Sequence, residues 1–182
     1  MTFRHILLAT DLSEVSEGAL GAATALARAS AARLTILYVY AVSASTAHSE
    51  GEEVAEQTWP GAICVRKRLD LLIAGLRAVG LRAEGVIRFG QAAERIAEAA
   101  EELQVDLVVT GTHGRKGLAR FWYGSVAAGV RRHSNVPLLA VQTEGNVIAL
   151  RAPRATNGNR PSPRARRVAS VSLHAPRRAR HL

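Results

Sequence analysis

A short β-branched run, Asp106-Leu107-Val108-Val109-Thr110, leads directly into Gly111-Thr112-His113-Gly114, and nine residues later Gly124-Ser125 opens a helical pattern that reaches His133. An apolar run of this kind suits a strand buried on both faces, the condition of a parallel sheet. The spacing G-x2-G-x9-G-S then suits phosphate. Gly111 and Gly114 permit a tight turn and let backbone N–H groups approach an anion without Cβ interference. Ser125 is expected as the N-cap of a helix over Val126 to His133, whose first turn presents unpaired N–H groups and the positive end of the helix dipole. Arg131, Arg132 and His133 suit its negative end, Asn135 is expected in a left-handed cap, and Pro137 stops the helix. A phosphate between the glycines and this helix would be held by main chain. The alternative is a glycine-rich connection that holds nothing.

The rest of the body alternates in the same way. Phe3 to Ala9 reads as a buried strand, and Ser13, Glu14 and Glu17 open a helix with Val15, Ala19, Ala22, Ala23 and Leu26 on one face. Leu34 to Val39 is a second strand, and the small, polar and acidic residues 43 to 60 read as a loop. Val65, Leu69, Leu72, Leu76 and Val79 mark an amphipathic helix ending at Gly80. Leu81 to Phe89 is a less apolar strand, expected near a sheet edge. A third helix carries Ala93, Ile96, Ala97, Ala100 and Leu103, and Pro137 to Gln142 is the fifth strand. Five strands alternating with four helices predict an α/β fold, a doubly wound five-stranded parallel sheet with helices on both faces. Ligands bind such sheets at the carboxyl ends of the strands, where the winding reverses, and Asp11, Val39 and Gly111 all fall at strand ends.

The 182-residue chain carries a formal net charge of +9, yet all 15 acidic residues precede residue 145 and nine of the 24 basic residues follow residue 150. The body is neutral and the charge belongs to the end. From about Glu144 the sequence is rich in Arg, Pro, Ala and Ser without aromatic residues, so one domain over 1–144 and a disordered basic tail over 145–182 are expected. The tail reads as a solvated extension rather than a nucleic-acid arm, because no base-stacking aromatics accompany its arginines. Cys64 is the only cysteine, which excludes an intrachain disulfide and fits a reducing cytoplasm. No stretch has the length of a membrane span, and no signal-peptide pattern opens the chain.

The glycine pattern, together with Ala9-Thr10-Asp11-Leu12-Ser13-Glu14 and Val136-Pro137-Leu138-Leu139-Ala140-Val141, resembles the universal stress protein family, specifically its ATP-binding branch, over residues 3 to about 143. The resemblance implies a sheet of order 3-2-1-4-5, of the adenine nucleotide alpha hydrolase-like type, with an adenine nucleotide lying over the first and fourth strands. ATP is the nucleotide implied first, with AMP or cyclic AMP as alternatives and Mg²⁺ or Mn²⁺ carried through the phosphates. By match to the family's positions, Asp11 contacts the adenosine moiety or a bound metal, Ala9 lines the base, and Val39 meets the adenine with its backbone. Thr110 stands where the family often has Met or Val. Gly111, Gly114, Gly124, Ser125 and Val126 hold ribose and phosphates, with Arg115 and Gly117 in the same nucleotide-binding stretch. The resemblance also implies a homodimer, for which the apolar strand Val136 to Gln142 offers an edge.

Beyond that site the residues are bland. Arg115, Lys116 and Arg120 are suited to neutralising phosphate. His113 has no partners at metal-ligand spacing and reads as solvated; Phe121, Trp122 and Tyr123 read as packing rather than base-stacking residues. No Ser-His-Asp set, metal cluster or P-loop Lys follows the glycines, so no catalytic residue and no protein-built metal site is expected, and slow ATP hydrolysis is the most that is anticipated. A nucleotide-binding regulatory or stress-response protein is the favoured reading. A ligand-free dimeric interaction protein and a nucleotide-processing enzyme are the alternatives.

Overall fold

A computed structural model describes residues 2–41, 61–112, 125–142 and 147–151. The elements run β1 (His5–Ala9), a single 3-10 turn (Glu14–Ser16), α1 (Glu17–Ser30), β2 (Arg33–Tyr40), α2 (Ala62–Ala78), β3 (Arg82–Phe89), α3 (Ala92–Glu102), β4 (Leu107–Thr112), α4 (Ser125–His133), β5 (Leu138–Gln142) and β6 (Val147–Arg151). The sheet order is β3-β2-β1-β4-β5-β6. The first five are parallel in the expected order 3-2-1-4-5, and β6 adds antiparallel to β5.

Residues alternate between two cores, as side chains of a pleated strand must. Ile6 and Leu8 of β1 join Ala19, Ala23 and Ala27 of α1 and Leu69, Ile73 and Leu76 of α2 on one face. Leu7 and Ala9 join Ile96, Ala99 and Ala100 of α3 and Ala127 and Val130 of α4 on the other. Burial on both sides explains why β1 and β4 read as unbroken apolar runs. The less apolar β3 lies at an edge, as expected. Close helix packing depends on Gly129: a Cβ there would collide with the Cβ of Ala93, so α4 packs its bare backbone at Gly129 against the Ala93 methyl of α3.

At the opposite end of the sheet, Asp106 ties β4 to β1. Its Oδ2 accepts from the backbone N–H groups of Arg4 at 2.6 Å and His5 at 3.0 Å, and its own N–H donates to the His5 carbonyl at 2.8 Å. The His5 ring spans the interior: Nδ1–H donates to the Leu103 carbonyl at 3.1 Å, and Nε2 lies 2.8 Å from Oγ1 of the fully buried Thr35. Thr35 in turn contacts Glu84 Oε1 at 2.7 Å. Burial, opposed by the Leu103 hydrogen bond, holds the imidazole below the usual histidine value of 6.5.

Three expectations need correction. Gly111 does not begin a turn; β4 continues through Gly111 and Thr112, paired with Val141 and Gln142, because β5 supplies a neighbour that far along. Asn135 takes no left-handed cap, since its φ is not positive. The exit of α4 instead uses Ser134, whose N–H donates to the Val130 carbonyl and whose Oγ accepts from the Val136 N–H at 3.1 Å. Third, Val147–Arg151, placed by composition in the tail, forms β6. It pairs Leu138 with Arg151, Leu139 with Leu150 and Ala140 with Ala149, with an irregularity at Ala140/Val141. The β5 edge expected to receive a second copy is thus taken by the chain's own next segment, which satisfies the N–H and C=O groups an apolar edge would leave open. Residues 42–60, 113–124, 143–146 and 152–182 lie outside the described residues, and with them the loop, the aromatic cluster and most of the basic tail.

Two outcomes follow from these contacts. Because the folded pKa of His5 is lowered, its contribution to stability is complete above about pH 6.5 and is lost as pH falls through the lowered value, where the unfolded chain binds the extra proton. Denaturant unfolding at pH 7.5 and 5.5 should show the wild type losing more stability than His5→Gln; equal losses would contradict the assignment. A chain ending at residue 144 should self-associate more tightly in sedimentation than one ending at 151, and identical association would show that β6 does not guard the β5 edge.

Candidate functional site

β1 stops before its neighbours. Its last residue, Ala9, pairs with Leu37 on one side and Thr110 on the other, while β2 runs on to Tyr40 and β4 to Thr112. The gap lies between β1 and β4, where the winding of the sheet reverses, and it is there that such sheets bind ligands. A cavity of about 180 Å³ opens at this point.

One wall is apolar. Ala9, Leu37 and Val39 come from the strand ends, Ile96 from α3 and Val126 from the first turn of α4. The alternation of β2 dictates what its backbone offers. Tyr40 C=O accepts from Gly90 N–H on the β3 side, whereas Leu37 C=O accepts from Thr10 N–H at 3.0 Å on the β1 side. Val39, two residues beyond Leu37, therefore turns its N–H and C=O toward the β1 side, past the end of that strand. A donor and an acceptor stand side by side against the apolar slot.

The other wall is polar, formed by Thr10, Asp11, Ser16, Thr110 and Gly111. Asp11 Oδ1 accepts from both Ser13 N–H at 3.0 Å and Ser13 Oγ–H at 2.6 Å. Partial burial pushes its carboxyl pKa up, but the hydrogen bonds from Ser13 and Ser16 outweigh it, and the group lies below the usual carboxylate value. Asp11 is thus ionised at neutral pH and is the one carboxylate among the described lining residues. Thr10 Oγ1 donates to Ser16 Oγ at 2.9 Å and accepts from Leu12 N–H at 3.0 Å, while Ser16 Oγ donates to the Ser13 carbonyl at 2.7 Å.

Of the residues expected from sequence, Ala9, Asp11, Val39, Thr110, Gly111 and Val126 come together on this cavity. Ser125 is the exposed first residue of α4, one position from the lining Val126. Gly114, Arg115, Gly117 and Gly124 lie outside the described residues. Sequence reasoning missed Thr10, Ser16, Leu37 and Ile96. Leu37 and Ile96 carry only the signal of core positions, and no periodicity separates a core residue at a strand end from a ligand-facing one. Among the described residues no group of three or more His, Cys, Asp or Glu side chains is placed to hold a metal ion.

The comparisons with known proteins agree with this architecture. The model of the universal stress protein family matches residues 2–142. A Staphylococcus haemolyticus protein named as a universal stress protein is 32% identical over 150 residues, covering 79% of this chain and 87% of that protein. Among solved structures, a universal stress protein in complex with cAMP is 26% identical, covers 79% of this chain and 99% of its own, and has a TM-score of 0.60. The Archaeoglobus fulgidus universal stress protein in complex with dAMP, at 22% identity, 77% and 98% coverage and a TM-score of 0.55, shares the fold. With the fold, the strand-end cavity and the family match in agreement, the chain belongs to the universal stress protein family.

Proposed function

We propose that the chain binds an adenine nucleotide, ATP first among the candidates, in the cavity between β1 and β4, and acts as a regulatory or stress-response module. The observation that carries this reading is the Val39 backbone pair beside the apolar slot. Adenine presents an acceptor at N1 next to a donor at N6, which matches an N–H beside a C=O; guanine presents the reverse order along that edge. Leu37, Ile96 and Ala9 would cover the faces of the base. The ionised Asp11 at the polar wall is suited to the ribose hydroxyls, or to Mg²⁺ or Mn²⁺ brought by the phosphates, since it is the only carboxylate among the described lining residues. Support also comes from the 26% identical relative that was solved with cAMP.

The phosphates would run toward the start of α4, whose N–H groups and dipole favour an anion. Among the described lining residues none has the base or nucleophile context of a hydrolase, and our reading is of a binding module with at most slow turnover. No described helix is long and apolar enough to cross a membrane, and we place the protein in the cytoplasm. A homodimer in this reading forms through an edge other than β5 while β6 is in place.

Calorimetric titration of Mg²⁺-ATP, with AMP and cyclic AMP alongside, should give saturable binding for ATP. GTP should bind at least tenfold more weakly, about 1.4 kcal/mol, because its base would leave the Val39 pair mismatched in a buried site. Equal affinity for ATP and GTP would remove Val39 from the base contact. No heat with any nucleotide, from protein freed of carried-over ligand, would favour a ligand-free interaction protein.

A further inference from the structure

The loop from β1 to the 3-10 turn holds Leu12 at φ 58, in the left-handed region that side-chain-bearing residues rarely adopt. Leu12 lies between Asp11, on the candidate site, and Ser13, whose N–H and hydroxyl bind the Asp11 carboxylate. The hydrogen bonds within this loop are short-range, linking residues 10 to 16. Besides the Thr10 N–H bond to the Leu37 carbonyl at 3.0 Å, a side-chain tie from another element is described: Arg68 of α2, 56 residues away in sequence, donates from a guanidinium nitrogen to the Leu12 carbonyl at 2.7 Å. Leu69, Ile73 and Leu76 anchor α2 in the core, so the helix that carries Arg68 is fixed relative to the sheet. A second cavity, of about 250 Å³, is lined by Arg68, Leu12 and Leu72 and shares Thr10 and Ser16 with the first, so the loop divides the two.

We propose that Arg68 is a positioning residue for the nucleotide site: by gripping the Leu12 carbonyl from behind it keeps Leu12 left-handed, and that backbone conformation sets where the Asp11 carboxylate stands. The guanidinium makes a charge-assisted bond in a fixed planar geometry, which suits it to hold a carbonyl against backbone strain. Without it Leu12 relaxes toward an ordinary φ, the Ser13 N–H leaves the Asp11 carboxylate, and the polar wall loses its shape. Glycine at position 12 adopts a positive φ without steric penalty, so the loop of a Leu12→Gly protein does not need the grip.

This inference rests on the nucleotide reading, and two readouts in the full chain separate their failures. The first is calorimetric affinity for Mg²⁺-ATP in wild type, Arg68→Met, Arg68→Lys, Leu12→Gly and the Arg68→Met/Leu12→Gly double variant, each shown to be folded by circular dichroism. The second, which needs no nucleotide, is titration of the Asp11 carboxyl by NMR. Arg68→Met should weaken ATP about tenfold and move the Asp11 pKa up toward its ordinary value. Arg68→Lys should retain most of the affinity, and adding Leu12→Gly to Arg68→Met should restore both readouts to within about twofold and to the wild-type titration. Unchanged titration in Arg68→Met, or a loss that glycine at position 12 does not rescue, would overturn the positioning role. Absence of ATP binding in the wild type with the expected Asp11 shifts would overturn the nucleotide reading while leaving the Leu12 grip in place.

Discussion

The candidate site exists because a strand buried on both faces is shorter than both its neighbours. β1 is clamped at its start by Asp106 and His5 and buried on both faces, so it cannot slide along the sheet to fill the gap at its other end. A one-residue slip would exchange the sets facing the two cores. The crevice between β2 and β4 is therefore a fixed property of the register. The chain leaving Ala9 must turn away at once, and that turn brings Thr10, Asp11 and Ser16 to the opening.

Small residues do much of the remaining positioning. Ala19, Ala23 and Ala27 present a low-relief face of α1 to the sheet, and Gly129 with Ala93 lets α3 and α4 touch closely on the other side. The consequence for the site is that Ile96 and Val126, from two different helices, converge on one slot. Larger side chains at these contacts would spread the helices and widen the slot before they unfolded the domain.

Much of this was legible in the sequence because its signals are local and periodic. The apolar runs at Ile6–Ala9 and Leu107–Thr110 and the helical stripe at Val65, Leu69, Leu72 and Leu76 lead directly to a parallel sheet with covered faces, although Ile73 is buried where the stripe did not place it and Val79 is exposed. That Asp11, Val39 and Gly111 converge at the end of the sheet was legible because they fall at or near strand ends. Ile96 and Leu37 were not, since burial against protein and burial against a ligand demand the same side chains. The left-handed Leu12 left no trace because leucine carries no conformational signature of its own; its geometry is imposed by Thr10, Ser13, Ser16 and Arg68. β6 was hidden for another reason. Val147-Ile148-Ala149-Leu150 is a strand-like run, but it is brief and sits at the head of an arginine- and proline-rich stretch whose composition masks it.

That strand bears on how the protein counts its neighbours. β6 is joined to β5 by only the four residues between Gln142 and Val147, and a tether so short keeps it at a local concentration of order millimolar. Any second chain seeking the same edge competes with an occupant that never diffuses away. Access to this edge is then governed by the strength of the internal pairing more than by the amount of protein present, and sequence changes in or just before β6 become a means of opening the edge without touching the cavity at the end of β1.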